Sequence, residues 1–212
     1  LDNSIAYQGK FSGFTVGGLY SFGKDALTCA GERGNGSECT SWSAVLKYDA
    51  PTWGVSSWID AQYGPDGSLS TPPTADLSDA KDQRAALGAY YMLGQTKLAA
   101  NYMQRKNDAA TAAQRKSTLW SLGVAHPITP AILLEAQYYN LSFKDSSDGG
   151  KMFVVRGTYA FSKRTAAYAT VGALRNDGNS RFSPSVGASN TALAPVAGNS
   201  QTGVMVGLRH SF

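Results

Sequence analysis

The sequence predicts an all-β protein, a transmembrane antiparallel β-barrel of which about eleven strands are visible. Three observations carry that reading. The dominant hydrophobic period is two rather than 3.6, so apolar and polar side chains alternate along one segment after another. The connections alternate between tight turns and long polar loops, the arrangement of a barrel with short turns on one rim and long loops on the other. No run of 18 apolar residues exists, so a helical membrane span is excluded, and amphipathic strands are left to cross a bilayer.

The segments follow in order. Asn3–Lys10 is short and is joined through Ser12-Gly13 to Phe14–Phe22, whose apolar face carries Phe14, Tyr20 and Phe22. A polar stretch of roughly residues 23–40 leads to Ser41–Asp49, with Trp42 and Tyr48 near the two ends of its apolar face. The turn Pro51-Thr52-Trp53-Gly54 precedes Val55–Tyr63. Roughly residues 64–81 form the next long loop, before Arg84–Leu93, the turn Gly94-Gln95 and Lys97–Arg105. After a loop near 107–114 come Thr118–Ile128, the turn Thr129-Pro130 and Ala131–Leu141. A loop near 144–150 leads to Lys151–Phe161, where Phe153, Val155, Gly157, Tyr159 and Phe161 alternate with Met152, Val154, Arg156, Thr158 and Ala160. Ser162-Lys163 turns the chain into Ala166–Arg175, which is too rich in alanine for its faces to be assigned from sequence. The stretch 177–201, rich in Gly, Ser, Ala and Asn, reads as a surface loop rather than a recognition surface. In Gly203–Phe212, Val204, Val206, Leu208, His210 and Phe212 share one face, and Gly203, Met205, Gly207, Arg209 and Ser211 the other. Roughly nine to eleven residues per strand is the length that crosses a bilayer at a tilt.

Aromatic residues gather near the ends of the apolar faces, at Phe14, Tyr20, Phe22, Trp42, Tyr48, Tyr63, Tyr91, Tyr138, Tyr159 and Phe161. Their amphipathic rings suit the headgroup level, so two girdles are expected. A soluble core would need the opposite face to pack on a second layer, and that face is too polar and too rich in glycine. It holds Lys10, Lys47, Asp49, Asp60, Gln62, Arg84, Lys97, Asn101, Arg105, Glu135, Gln137, Arg156 and Arg209. A charge at mid-membrane on the lipid face of a barrel costs about 2–4 kcal/mol, so these residues are expected to face water in a lumen. Lys47, Asp60, Arg84, Lys97, Arg105, Glu135, Arg156 and Arg209 are the expected pore-lining residues. Basic side chains outnumber acidic ones on this face. Arg and Lys arrays set anion preference in pores, so a weak anion preference is expected from the ensemble, with each single charge equally well read as a solvated wall residue.

Other classes of function find little support. Charged residues make up only 16% of the chain and the net charge of +4 is scattered, which argues against a nucleic-acid partner. No segment of Lys or Arg followed by an apolar run opens the chain, so a signal peptide is expected to be missing or removed. Cys29 and Cys39, with Gly31, Gly34, Gly36 and Ser37 around them, read as a short loop closed by a disulfide in an oxidising compartment. Two free thiols are the alternative. Neither histidine is near the cysteines in sequence, no acidic cluster has calcium-loop spacing, and no phosphate-binding loop appears, so no metal or cofactor is expected. No Gly-x-Ser-x-Gly elbow occurs, and His126 and His210 fall on the apolar parity near strand ends, as interface residues would. Asn35-Gly36-Ser37 and Asn140-Leu141-Ser142 match the glycosylation sequon, a match frequent by chance.

Specific stretches resemble a known family. The ending Gln201-Thr202-Gly203-Val204-Met205-Val206-Gly207-Leu208-Arg209-His210-Ser211-Phe212 resembles the last strand of the trimeric general porins of β-proteobacteria, which end in Val-Gly-Leu/Ile-Arg-His-x-Phe. Phe161-Ser162-Lys163-Arg164-Thr165-Ala166-Ala167-Tyr168 resembles their Leu/Phe-Ser-Lys-Arg-Thr-x-x-Tyr turn. Asn3-Ser4-Ile5-Ala6-Tyr7 and Phe11-Ser12-Gly13-Phe14 resemble the strand pair after the constriction loop. The resemblance implies a barrel of about 16 strands, a homotrimer in the bacterial outer membrane among lipid and lipopolysaccharide, and passive diffusion of small hydrophilic solutes and ions without enzymatic chemistry. It also implies that Phe212 is the signal read by the barrel-assembly machinery. An odd number of antiparallel strands cannot close on itself, and an open edge in lipid leaves backbone groups unpaired. Residues 1–212 are therefore expected to be the C-terminal part of a porin barrel domain, without about five strands and the constriction loop. A count wrong by one, giving a complete barrel of ten or twelve strands, is the alternative. Two other functions are alternatives: an outer-membrane barrel enzyme, for which Ser211 and His210 point to opposite faces, and a non-conducting binding or adhesion barrel.

Overall fold

The computed structural model describes residues 3–22, 40–63, 80–108, 110, 112–184 and 195–212. The expected Cys29–Cys39 disulfide lies outside the described residues. The chain forms β1 (Ser4–Phe11), β2 (Phe14–Ser21), β3 (Ser41–Asp49), β4 (Trp53–Tyr63), β5 (Lys81–Leu93), β6 (Thr96–Asn107), β7 (Lys116–Thr129), β8 (Ile132–Phe143), β9 (Gly149–Ala160), β10 (Thr165–Asp177) and β11 (Gln201–His210). They lie in a single sheet in sequence order. The pairs β1–β2, β2–β3, β3–β4, β8–β9, β9–β10 and β10–β11 are antiparallel hairpin neighbours. Among the described residues the helical content is one 3-10 turn, Ala112–Gln114.

The tight turns have local chemical causes. Ser12 and Gly13 both adopt positive φ, 46° and 89°, as a two-residue type I′ hairpin requires. Gly94 supplies a φ of 60° between β5 and β6. At the two remaining turns of the C-terminal half a hydroxyl gathers the free backbone donors. Thr129 Oγ1 accepts from the N–H of Ala131 and Ile132, and Ser162 Oγ from the N–H of Arg164 and Thr165.

Several boundaries differ from the sequence reading. Trp53 and Gly54 belong to β4 rather than to the turn: Ala50 N–H donates to Trp53 O at 2.8 Å and Gly54 pairs with Asp49. Trp53 then continues the apolar face, its ring 5.3 Å from Tyr48, which in turn lies 4.7 Å from Phe14. β5 starts at Lys81, three residues before Arg84, and there Asp108 N–H donates to Lys81 O at 2.8 Å. The final ladder stops at His210. Phe212 lies beyond it, fully exposed, while Ser211 N–H donates to Arg164 O and Arg164 Nε to Ser211 O.

Two compact units are present, Leu1–Ala89 with Tyr102–Thr118, and Tyr90–Asn101 with Leu119–Phe212. In the first, Phe14↔Tyr48, Val16↔Leu46 and Tyr20↔Trp42 are cross-strand partners on one face, and Thr15↔Lys47 and Gly17↔Val45 on the other. In the second, Tyr138↔Phe153, Val155↔Val171 and Ala169↔Val206 share the apolar face. Register also settles the alanine-rich β10: Tyr168, Thr170 and Leu174 are polar-face partners of Thr158, Arg156 and Met152. Burial is inverted relative to a water-soluble fold. Ile5 is 69% and Val206 75% exposed, whereas among the described residues the buried apolar ones are Ala61, Ala80, Ala86, Ala166 and Leu174. Apolar surface so continuous needs a non-aqueous neighbour, and acyl chains supply it.

Candidate functional site

The polar face holds the candidate site, and period two decides its membership. In the first unit the charges of β4, β5 and β6 converge near the long-loop ends of the strands. Asp82, with its side chain only 7% exposed, accepts from Arg105 through Nε and Nη2, both at 2.8 Å, and from Arg84 Nη2 at 2.8 Å. The two-pronged Arg105 contact is the strong geometry for a guanidinium on a carboxylate. Arg84 Nη1 also lies 4.0 Å from Asp60 Oδ2. Two arginines and two aspartates thus form one cluster without net charge. At the turn ends of the same unit, Lys47 bridges to Asp49 at 2.8 Å, and Lys10 stands opposite Thr15.

The second unit handles its cations differently. Lys97 Nζ lies 4.3 Å from the centroid of the Tyr90 ring, and the Arg156 guanidinium 4.4 Å from that of Tyr168. An aromatic face holds a cation by its quadrupole, worth about 0.5–2 kcal/mol, and leaves the positive charge unneutralised. Glycine makes the second stack possible. A side chain at Gly207 would collide with the Tyr168 ring, so the ring spreads over β11 and carries Arg156 above it. Glu135 is the cross-strand partner of Arg156 on β8. Lys97, Glu135, Gln137, Arg156, Thr170 and Met205 line a cavity of about 430 Å³. Arg209 lies nearer the turns, in a cavity it shares with Lys163 and Arg164.

A segment read from sequence only as surface loop also reaches this face. Asn176, 2% exposed, accepts from Phe182 N–H at 2.8 Å and donates to the carbonyls of Phe182 and Asn199 at 3.0 and 2.8 Å. Ser180 accepts from Gly149 N–H at 2.9 Å, and Asp148 Oδ1 from Asn179 N–H at 2.7 Å. Residues 180–184 are thereby held over the polar ends of β9 and β11, with Phe182 against Gly150 and Pro184 against Gly203.

The eight residues expected to line a pore divide between the units, Lys47, Asp60, Arg84 and Arg105 in the first and Lys97, Glu135, Arg156 and Arg209 in the second. Sequence reading missed Asp82, Tyr90 and Tyr168. Asp82 falls between the expected loop, roughly 64–81, and the expected strand start at Arg84, although counting back two from Arg84 reaches it. The tyrosines carry the right parity but no signal that they underlie cations. His126 and His210 lie on the apolar face, each 2.9 Å from a threonine hydroxyl, Thr96 and Thr165. His210 is thus engaged by Thr165 rather than Ser211.

The family described as Gram-negative porin matches residues 1–179. Outer membrane porin protein 32 of Delftia acidovorans is 27% identical over 208 residues, covering 97% of this chain and 55% of the relative. Among solved structures, an anion-selective porin from Comamonas acidovorans aligns with a TM-score of 0.76 at 24% identity, over 99% of this chain and 59% of that one. The Vibrio cholerae outer membrane protein OmpT, in a trimer form, aligns with a TM-score of 0.69 at 13% identity, over 98% of this chain and 64% of that one. The chain spans somewhat more than half the length of the relatives it matches.

Proposed function

Since the chain belongs to the Gram-negative porin family of the bacterial outer membrane, we propose that its polar face lines a water-filled channel with a weak preference for anions. Small hydrophilic solutes and ions diffuse through that lumen without chemical change. The observation that carries this reading is the fate of the charges on the polar face. Lys10, Lys47, Arg84, Lys97, Arg105, Arg156 and Arg209 stand against Asp49, Asp60, Asp82 and Glu135. The carboxylates of the first unit neutralise Arg84 and Arg105, whereas Lys97 and Arg156 rest on tyrosine rings and keep their charge. Unneutralised cations along a lumen raise the local concentration of anions. The likeness to the anion-selective porin of Comamonas acidovorans supports the same direction.

The proposal extends to assembly. Residues 1–212 form the C-terminal part of a porin barrel of about 16 strands, which assembles as a homotrimer in lipid and lipopolysaccharide. Coverage of 55–59% of two porin relatives supports the first statement, and the trimer form of OmpT the second. Phe212, fully exposed and stacked edge-on against His210 with centroids 4.8 Å apart, is available as the signal for the assembly machinery. Planar bilayers test the channel: the intact protein carrying this chain should insert with large, uniform current steps. Insertion without any conductance would contradict the reading.

A further inference from the structure

The cavity of about 430 Å³ on the polar face of the second unit contains both signs of charge, held apart. Lys97 and Arg156 stack on Tyr90 and Tyr168. Glu135 stands opposite Arg156 in the β8–β9 ladder. Among the described residues, its carboxylate makes no ion pair with either cation. The contrast with Asp82, which collects two arginines in the first unit, is direct. Hydrogen-bonding capacity is also unspent here. Arg156 Nε and Thr170 Oγ1, cross-strand partners, are buried without a hydrogen-bond partner. Val154 and Met205 add an apolar wall to the same cavity.

We infer that this cavity is a subsite for small amphoteric solutes, those carrying an ammonium and a carboxylate on a short aliphatic frame, such as a free amino acid. The solute carboxylate faces Lys97 and Arg156, its ammonium faces Glu135, and its aliphatic side chain lies on Val154 and Met205. A pure anion would meet the two cations but also the uncompensated carboxylate of Glu135. A pure amine would meet Glu135 but also both cations. Like-charge juxtaposition disfavours each of them relative to the solute that carries both groups. The subsite rests on the polar face being the channel wall, and it names a solute class for that wall.

Leucine and its two truncated analogues separate the possibilities: 4-methylpentanoate lacks the ammonium, and 3-methylbutylamine lacks the carboxylate. Binding of each to the detergent-solubilised intact protein is read by ligand-observed NMR or titration calorimetry, independently of conductance. Leucine should bind about tenfold or more tightly than either analogue, a difference of about 1.4 kcal/mol. Glu135→Gln should remove that advantage over 4-methylpentanoate, and Arg156→Gln the advantage over 3-methylbutylamine. Equal or tighter binding of 4-methylpentanoate by the unaltered protein would overturn the inference, as would no binding of leucine. A protein that binds leucine in this pattern yet conducts no current would uphold the site and contradict the channel.

Discussion

Asp82 is the residue on which the charge balance of the first unit turns. It is nearly buried, and its two oxygens take three hydrogen bonds from Arg84 and Arg105. A hydrogen bond to a charged group contributes about 1.5–3 kcal/mol, less here because both arginines are about one-third exposed and solvent screens them. Asp82→Asn keeps the shape and removes the charge. Two consequences are expected. The folded protein should lose on the order of 1–2 kcal/mol in urea unfolding, and the zero-current potential in a salt gradient should move further towards anions, because Arg84 and Arg105 lose their counter-charge. An unchanged potential would show that these arginines do not face the ion path. Gly207 is the second residue whose chemistry is fixed by a neighbour. Gly207→Val should displace the Tyr168 ring at an overpacking cost of about 1–3 kcal/mol, seen as a lower temperature for loss of the folded band on gels. A stability equal to that of the unaltered protein would mean the ring is free to move aside.

At the scale of elements, the strands were legible and the loops were not. Alternation marks the strands other than the alanine-rich β10, whose faces only its register with β9 and β11 assigns, because one face of each must tolerate lipid and the other water, and a one-residue slip exchanges the faces. Its reach ended where both faces turn polar. Lys81–Gln83 continue β5 without an apolar residue to mark the period, and so Asp82 was lost from the predicted site. Trp53-Gly54 looked like turn residues by composition, yet the Asp49↔Gly54 pairing draws them into the ladder. The β10–β11 connection shows a different limit. Its composition suggests only a surface loop, while the buried Asn176 amide and the Ser180 hydroxyl tie residues 180–184 over Gly150 and Gly203. Contacts made across 23 or 31 residues of sequence leave no local periodic trace. Asn176→Ala should release this segment. Trypsin cleavage after Arg181 should then accelerate several-fold in the folded protein, and single-channel conductance should rise. Cleavage at the original rate would show that other contacts hold the segment.

For the whole molecule, apolar and polar faces assign the two solvents, and the polar face carries the proposed transport. The inverted burial pattern, large apolar residues outside and alanine within, suits a sheet wetted by acyl chains on one side and by water on the other. In the proposed channel, selectivity depends on which wall charges remain after local pairing rather than on the formal net charge of the chain. The first unit's Arg84, Arg105, Asp60 and Asp82 cancel, and the second unit's Lys97, Arg156 and Arg209 exceed Glu135. The most direct test is the zero-current potential of the intact protein in a planar bilayer under a tenfold potassium chloride gradient. The account predicts a potential whose sign reports chloride as the more permeant ion, reduced towards zero in a Lys97→Gln, Arg156→Gln, Arg209→Gln triple variant. A potassium-favouring sign in the unaltered protein, or a triple variant with the same potential, would contradict it.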